Sequence, residues 1–202
     1  MSKKKLLILA FACAISVLII QSPIIKEPKS ISGYLPIQNN ITLASNYQSL
    51  EYIINDYSVK FEVPDATEVY VSPDKGEQLR FSIYLVNSKL AYRGYIQAWN
   101  IENLEGFLSD SKALSPLNYR TYKINNVKHN DYRGFQIEWI TELGQKLTSG
   151  NEYWVIVNDN EEVIRILYIT DTATFPSEMQ NIIELTLNSL RIETSTSKIP
   201  NS

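Results

Sequence analysis

Residues 153–169 read YWVIVNDNEEVIRILYI, and this stretch decides the fold. Two runs of branched and aromatic residues, Tyr153 to Val157 and Val163 to Ile169, flank the polar turn Asn158 to Glu162. Apolar residues occupy both alternate sets of positions, which is typical of strands that are covered on both faces. The stretch therefore predicts a hairpin at the centre of a sheet.

The segments on the N-terminal side alternate with a period of two. Tyr57 to Val63 places four apolar residues at alternate positions and stops at Pro64, and Leu79 to Leu85 has the same pattern. Leu90 to Trp99 returns as a longer aromatic strand after a short turn. Such alternation indicates strands with one face turned to the core. Upstream of them, Ser45 to Asn55 is compatible with a short helix.

Two further strands and two helices complete the pattern. Tyr119 to Ile124 and Tyr132 to Leu143 are predicted strands, whereas Gly144 to Gly150 is predicted to be a loop. Ile101 to Ala113 has helical spacing with Asn100 as a candidate N-cap. Ser177 to Ile192 has a second apolar stripe, and Ser177 with Gln180 resembles a capping box.

The element order predicts an α+β fold with a mainly antiparallel sheet of about six strands packed between helices. The strand that ends at Pro64, the strand running into a helix at Ile96 to Leu108, the late hairpins and the closing helix at Asn188-Ser189-Leu190 together resemble PsbP-like domains. That family includes an extrinsic photosystem II subunit and bacterial, often membrane-anchored relatives. The resemblance implies an α/β/α sandwich over roughly residues 50–192. It carries over no functional residue and implies no photosynthetic role.

The N-terminus has the composition of a membrane leader. Lys3-Lys4-Lys5 precede the uncharged run Leu6 to Ile20, which as a helix spans roughly 22 Å. With the following residues it approaches the roughly 30 Å of a bilayer core, and the lysines predict a cytoplasmic N-terminus. An uncleaved anchor fits best; a cleaved signal peptide and a lipoprotein signal at Cys13 are the alternatives. The predicted segments are 1–5 cytoplasmic, 6–25 anchor or signal, 26–46 flexible tether, 47–192 domain and 193–202 disordered tail.

Charge and cysteine content narrow the function classes. The part after residue 25 holds all 22 acidic residues but 16 of the 19 basic ones, so its net charge is −6. An acidic domain without a basic run is a poor candidate for nucleic-acid binding. Cys13 is the only cysteine, which leaves the domain without a disulfide or a thiol nucleophile.

Candidate catalytic and metal-binding groups are few. His129, the only histidine, lies near Asp131 in a polar turn, where a solvated loop is a simpler interpretation than a triad. The oxygen-rich turn at Asn158 to Glu162 lacks the spacing of a calcium loop. Glu138 is the one carboxylate placed within a predicted strand beside aromatic residues. The sequence thus predicts no catalytic residue, no metal site and no cofactor.

Tyrosine is the unusual feature, with 13 residues. If Tyr84, Arg93, Tyr95 and Gln97 lie on one sheet face with Arg80 and Glu138, they form a patch of amphipathic rings and hydrogen-bonding groups. Such patches suit glycan or protein surfaces. The alternative is that these tyrosines cover the edge of the core beneath the helices.

These observations favour a non-enzymatic binding or assembly module that is tethered to the cell membrane with its C-terminal domain outside. Its expected partners are the membrane, through the N-terminal helix, and an envelope protein or glycan, but not nucleic acid. The alternatives are a cell-envelope hydrolase that uses carboxylates and tyrosine, a purely structural envelope protein and, if the signal is cleaved, a secreted protein.

Overall fold

The computed structural model of the chain describes residues 46–72, 76–129, 132–157 and 162–194. These residues belong to two compact units. Residues 103–118 belong to one unit, and the remaining described residues belong to the other. The predicted anchor, nearly all of the tether, the Asn130–Asp131 and Asn158–Glu161 turns and the end of the tail lie outside the described residues.

In the larger unit the described residues form ten strands in two sheets and one helix. The seven-stranded sheet has the order β3-β4-β5-β9-β8-β7-β6, and the three-stranded sheet has the order β1-β2-β10. Every described strand pairing is antiparallel. The strands are β1 (Tyr47–Ile54), β2 (Tyr57–Pro64), β3 (Glu68–Ser72), β4 (Leu79–Asn87), β5 (Tyr92–Asn100), β6 (Tyr119–His129), β7 (Tyr132–Leu143), β8 (Lys146–Val157), β9 (Glu162–Thr170) and β10 (Arg191–Thr194).

The prediction of a mainly antiparallel α+β fold is confirmed, but the prediction of about six strands is wrong. The central position of β8 and β9, deduced from residues 153–169, agrees with the strand order, since β9 stands fourth of seven. The extra strands are β1, β3 and β10, which are short or lie beside turns. Residues 193 and 194, predicted to belong to the tail, are part of β10.

The predicted helix at 45–55 is wrong, because this segment forms β1. Gln48, Leu50, Tyr52 and Ile54 are the less exposed residues of β1, and the residues between them are exposed. This period of two is the pattern of a strand with one covered face. The turn to β2 uses Asn55 at φ 56°, a left-handed conformation that asparagine tolerates better than most residues.

One face of the seven-stranded sheet, here called the core face, packs against the small sheet and a helix. The helix is α2, which runs from Glu178 to Ser189. Its buried residues Ile183 and Leu187 join Phe61 of β2 and a set of sheet residues in one apolar cluster. The sheet residues of this cluster include Phe81, Ile83, Ile96, Ile164, Ile166 and Tyr168.

Hydrogen bonds join α2 to both sheets. The Thr186 hydroxyl is 2.8 Å from the Tyr168 hydroxyl and donates to the Glu62 carbonyl at 3.0 Å. Ser189 accepts from the Glu62 amide at 2.9 Å. The small sheet therefore covers part of the core face, whereas the sequence pattern predicted that helices alone would cover the sheet. The capping box at Ser177 is not formed, since the Ser177 side chain makes no capping hydrogen bond.

The smaller unit contains helix α1, from Leu104 to Leu114. It begins three residues later than predicted, because Asn103 rather than Asn100 is its N-cap. The Asn103 side chain accepts a hydrogen bond from the Gly106 amide at 3.0 Å, whereas Asn100 ends β5. Within the described residues the two helices have 11 and 12 residues, too few to span a bilayer.

The segment 144–150, predicted to be a loop, contributes mostly to a strand. A tight turn at Gly144 and Gln145 joins β7 to β8, with Leu143 and Lys146 as the closing pair. Gly144 has φ 63°, which a glycine adopts without steric cost. Because residues 148, 149 and 151 are polar, the sequence pattern did not indicate a strand here. In the structure Thr148, Ser149 and Asn151 are all buried.

Candidate functional site

The face opposite the core face carries an unusual set of buried polar and aromatic groups. Because side chains alternate along a strand, residues with the parity of Tyr95 project away from α2. The cross-strand register places Gln97 beside Arg165, Arg165 beside Trp154, and Tyr84 beside Tyr95. The tryptophan face, as named here, consists of Ser82, Tyr84, Arg93, Tyr95, Gln97, Trp99, Trp139, Glu152, Trp154 and Arg165.

An ion pair lies at the centre of the tryptophan face. Arg165 Nε donates to Glu152 Oε2 at 2.7 Å, and the two side chains are only 13% and 7% exposed. The Arg165 guanidinium also lies 4.9 Å from the centre of a Trp154 ring, in a cation–π arrangement. Breaking such a buried pair from one side is costly, because an uncompensated charge remains.

All three tryptophans of the chain direct their indole N–H groups into this network. Trp139 and Trp154 donate to the two oxygens of Glu152 at 3.2 and 3.0 Å. Trp99 donates to Gln97 Oε1 at 3.3 Å. Since arginine and indole are donors only, both oxygens of Glu152 serve as acceptors in this network.

Gln97 extends the network toward the neighbouring strand. Its Oε1 also accepts from Arg165 Nη1 at 3.3 Å, and its Nε2 donates to the Ser82 hydroxyl at 3.1 Å. On the other side, Gly150 provides room for the Trp139 ring, since a Cβ at Gly150 would collide with that ring. The sequence therefore supplies both the polar partners and the space for this cluster.

Tyr95 stands out because its hydroxyl has no partner. It is the only buried side-chain polar atom among the described residues that makes no hydrogen bond, although the residue is 3% exposed. Burial raises the pKa of Tyr95, and the guanidinium groups of Arg165 and Arg93 oppose that rise. The hydroxyl is therefore neutral at ordinary pH and lies near two positive charges.

A row of tyrosine rings leads from Tyr95 to the edge of the sheet. The ring of Tyr84 lies 5.1 Å from that of Tyr95 and 6.3 Å from that of Tyr70, measured between centroids. Tyr70 on β3 is 54% exposed and Tyr84 is half-buried. Burial also raises the pKa of Tyr84, and the Arg93 guanidinium lowers it. Arg93 itself donates to Asp171 at 2.9 Å, in a pair whose acid is 47% exposed.

The structure brings together four residues of the predicted patch and separates the other two. Tyr84, Arg93, Tyr95 and Gln97 share the tryptophan face, where Tyr95 and Gln97 are buried rather than open. Arg80 lies at a register irregularity of β4, near Tyr57. Glu138 pairs with Asn151 on the opposite side of the sheet. The binding role of the four residues remains a prediction.

Sequence reasoning missed the centre of the site. Arg165 is a charged residue within the apolar run of β9, and Glu152 lies where the polar start of β8 meets its apolar end. Trp139 and Trp154 project from the same side of the sheet as these two residues once the strands are paired. A charge inside a strand that is covered on both faces needs a partner. That signal could have linked Arg165 to Glu152, but the pairing register was needed to place them side by side.

A second polar cluster lies on the core face beside α2. Gln136 donates to Asn151 at 3.2 Å, Asn151 to Gln180 at 3.1 Å, and Gln180 to the Tyr153 hydroxyl at 2.7 Å. Burial raises the pKa of Tyr153, the bond from Gln180 lowers it, and Glu184 and Glu138 raise it. These bonds attach α2 to β8 and β7, which is a structural role for this tyrosine.

Among the described residues, no group of three acidic, histidine or cysteine side chains is arranged to hold a metal ion. The side chain of His129 and the whole of Asp131 lie outside the described residues. The sequence expectation about this pair therefore remains a prediction.

Comparisons with known proteins give similarities of structure only. No protein-family model matches the chain, and no curated protein matches it. A solution structure of cyanobacterial PsbP from Synechocystis sp. PCC 6803 matches with a TM-score of 0.44 and 8% identity, covering 83% of this chain and 100% of that one. A crystal structure of LpqN, involved in cell envelope biogenesis of Mycobacterium tuberculosis, matches with a TM-score of 0.41 and 12% identity, covering 72% and 91%.

A protein of unknown function from Pseudomonas aeruginosa, described as a putative regulator, has a TM-score of 0.36 and 10% identity, covering 66% of this chain and 87% of that one. The similarity to cyanobacterial PsbP is in line with the resemblance to PsbP-like domains predicted from the sequence. At identities of 8–12% and TM-scores of 0.36–0.44, these likenesses transfer no activity and no residue's role to this chain.

Proposed function

We propose that this chain is a non-enzymatic binding module, tethered to the outer side of the cell membrane, and that the tryptophan face is its binding site. The tether is supported by the lysines at 3–5 and the uncharged run 6–20. Lysines ahead of such a run favour a cytoplasmic N-terminus, so the domain that follows lies outside.

The unpartnered hydroxyl of Tyr95 carries the binding proposal. A buried hydroxyl without a partner costs about 1–3 kcal/mol, and folded proteins leave few such groups. Here the Tyr95 ring lies 5.1 Å from the Tyr84 ring, and the guanidinium groups of Arg165 and Arg93 lower the pKa of the hydroxyl against the effect of burial. The hydroxyl marks the point where the described residues of this face leave hydrogen-bonding capacity unused, and we place the binding site on this face for that reason.

The chemistry of the face favours binding over catalysis. The oxygens of Glu152 are taken by Arg165, Trp139 and Trp154. A general acid or base needs a proton site within hydrogen-bond reach of the substrate, and these bonds occupy it. Burial raises the pKa of Tyr84 and that of Tyr95, so neither hydroxyl is activated as a nucleophile.

Protease treatment of intact cells tests the location. In cells that express the full chain, added protease should degrade the domain after residue 46, and cell fractionation should leave the chain in the membrane. Degradation only after lysis, or recovery of the domain in the cytosol, would contradict the tether.

Affinity capture by the full chain from envelope extracts tests the site. The wild-type chain and Tyr92→Phe should capture the same partner, whereas Tyr95→Phe and Arg93→Ala should lose most of it. Tyr92 is the matched control because it lies on the same strand and is equally buried, but it projects to the core face. Equal capture by all four chains would exclude the tryptophan face as the site.

A cell-envelope hydrolase is the second candidate, favoured by the position of Glu138 near the Tyr153 hydroxyl. If that candidate were correct, Glu138→Gln would abolish an envelope-degrading activity and leave the fold intact. On the binding proposal, Glu138→Gln captures the same partner as the wild type.

A further inference from the structure

Strand β6 forms a long open edge of the seven-stranded sheet. It pairs with β7 on one side, and no strand of the described residues pairs with its other side. It has 11 residues, whereas β3 at the opposite edge has 5. Most side chains of β6 are exposed, so solvent reaches this edge. The exposed residues are Arg120, Thr121, Lys123, Ile124, Asn125, Asn126 and Lys128.

An open edge of this kind can accept a further strand. In an antiparallel pair, alternate residues direct their backbone N–H and C=O groups to the same neighbour, so half of the residues of β6 direct them to its open side. Extended peptides add to such edges through main-chain hydrogen bonds. Charged side chains on an edge limit this pairing. The charges along β6 therefore determine which peptide can pair with it.

The charge of β6 differs from that of the other edge strands. β6 carries three lysine or arginine residues and no acidic residue, although acidic residues outnumber basic ones in the chain after residue 25. The other described edge strands each contain an acid, which is Glu51 in β1, Glu68 in β3 and Glu193 in β10. An acidic peptide would therefore be attracted to β6 rather than to the other edges.

Two lysines of β6 have no acidic partner among the described residues. Arg120 donates to Glu142 at 2.6 Å, whereas Lys123 and Lys128 form no ion pair with a described residue. Lys128 lies directly opposite Arg133 of β7, and both side chains are exposed. Like charges in opposite positions of a strand pair are destabilising. A carboxylate beside Lys128 would therefore compensate an unfavourable interaction.

The middle of β6 indicates the kind of acidic partner. Residues 124–127 are uncharged, and Ile124 is 42% exposed. An anionic lipid surface would use the lysines but neither the apolar side chain nor the backbone groups of the edge. A second copy of β6 would bring the same lysines to the edge, and the like charges would repel each other. A peptide with both acidic and apolar side chains matches all three features.

We propose that β6 binds an extended acidic segment of a partner protein, which joins the sheet as an eighth strand. Ile124 and Lys128 are four residues apart and project from the same side of the strand. An antiparallel segment therefore has an acidic residue opposite Lys128 and, four residues later, an apolar residue opposite Ile124. Its next residue is an acid opposite Lys123. The proposal does not depend on the site on the tryptophan face, since it rests on the edge and the lysines of β6.

Titration of fluorescently labelled peptides with the full chain in detergent micelles, followed by anisotropy, tests this proposal. The probe Glu-Val-Thr-Thr-Ile-Glu-Thr, with blocked ends, has its acids and its isoleucine at the required spacing. We expect a Kd below about 1 mM, and binding about tenfold weaker when lysine replaces both glutamates. Two further probes carry N-methyl groups at alternate residues, one at odd and one at even positions. One of the two should lose binding and the other should bind like the parent peptide.

A charge reversal on the protein provides the matched test. Lys128→Glu should weaken binding of the acidic peptide about tenfold, whereas Lys89→Glu, at an exposed position in the turn between β4 and β5, should leave it unchanged. Lys128→Glu should not lower Tm, because it places an opposite charge across from Arg133. A loss of binding is then not a loss of the fold. Tyr95→Phe should leave peptide binding unchanged, which separates this edge from the tryptophan face.

Four results would overturn the proposal. Equal binding of the acidic and the lysine peptides would exclude recognition by charge. Equal binding of the two methylated peptides would exclude addition as a strand. If no peptide binds, the lysines of β6 only protect the edge from pairing. If sedimentation shows a dimer of the full chain that Lys128→Glu alters, the occupant of the edge is a second copy and not an acidic partner.

Discussion

The two faces of the seven-stranded sheet are filled in different ways. On the core face, Phe81, Ile83 and Ile166 meet the apolar side of α2 and the small sheet, and burial alone stabilises them. On the tryptophan face, Arg165 and Glu152 are buried only because each is paired. The core face depends on volume, whereas the tryptophan face depends on the completeness of a hydrogen-bond network.

This difference determines how the stability of each face responds to a substitution. An apolar core loses stability in proportion to the atoms removed, but a polar network loses most when one member is left unpaired. The orphan hydroxyl of Tyr95 is the one incomplete point among the described residues of the network. Substitutions on the core face should therefore lower the free energy of unfolding in proportion to the atoms removed. Substitutions on the tryptophan face should lower it most where they leave a buried group unpaired.

The largest expected effect comes from the core face. Phe61 on β2 is fully buried in the apolar cluster, so Phe61→Ala should lower the free energy of unfolding by about 3–5 kcal/mol. Urea denaturation of the full chain measures it. The control is Ile53→Ala on the adjacent β1, where the side chain is 70% exposed and the change should be within about 0.5 kcal/mol. Similar losses for both variants would mean that the small sheet does not cover the core face.

Removal of one charge from the tryptophan face should have the next largest effect. Arg165→Met leaves Glu152 buried without its counter-charge, and the expected loss is about 3 kcal/mol. The double variant Arg165→Met with Glu152→Gln should be more stable than Arg165→Met alone, because the buried charge is gone and an acceptor for an indole remains.

The exposed ion pair provides the matched control for this prediction. Arg93→Met removes the partner of the half-exposed Asp171 and should cost less than about 1 kcal/mol. A double-mutant cycle in urea compares the two pairs. If Arg165→Met costs no more than Arg93→Met, the network on the tryptophan face is not a determinant of stability.

Alkaline pH should weaken the fold through its buried tyrosines. Burial raises the pKa of Tyr92 to about 12, although the Thr67 and Asn87 hydrogen bonds lower it. The unfolded chain loses this proton near pH 10, whereas the folded chain keeps it to about pH 12. The contribution of Tyr92 to the free energy of unfolding is therefore constant below pH 10. It falls between pH 10 and 12, by roughly 2–3 kcal/mol.

The same direction holds for Tyr95 and Tyr168, whose pKa values burial also raises. Urea denaturation at pH 9, 10 and 11 measures the slope. Tyr92→Phe should make the slope between pH 10 and 11 shallower by about 1 kcal/mol per pH unit. An unchanged slope in Tyr92→Phe would mean that Tyr92 is not protected from water.

The alternation of residue types predicted where the strands lie better than it predicted which side of the sheet each side chain faces. Residues 153–169 indicated a central hairpin because both sets of alternate positions are apolar, and β8 and β9 do lie at the centre. The same property hid the tryptophan face. Without the register, nothing distinguishes the side of Tyr153 from the side of Trp154, and Arg165 resembles an isolated exception among apolar residues.

The predicted site shows which placements follow from residue spacing within one strand or one hairpin. Arg93, Tyr95 and Gln97 alternate on one strand, so their common face followed from the sequence. Tyr84 was placed with them correctly because β4 and β5 form a hairpin. Glu138 was not, because its face depends on the pairing of β7 with β8, and the polar start of β8 was taken for a loop.

The smallest effect is also the sharpest comparison of the two faces. Tyr92 and Tyr95 lie on the same strand, and each is 3% exposed. The Tyr92 hydroxyl lies 2.7 Å from the Thr67 hydroxyl on the core side, whereas the Tyr95 hydroxyl has no partner. Tyr92→Phe should therefore lower the free energy of unfolding by about 1 kcal/mol, and Tyr95→Phe should raise it by a similar amount.

Opposite signs for one chemical change would show that the orphan hydroxyl is kept against stability, as residues retained for binding often are. Thermal denaturation of the two variants without ligand is sufficient to see it, since only the direction of each shift in Tm is needed. If Tyr95→Phe is destabilised like Tyr92→Phe, the Tyr95 hydroxyl already has a partner in the free protein. The reason for placing a binding site on the tryptophan face would then be lost.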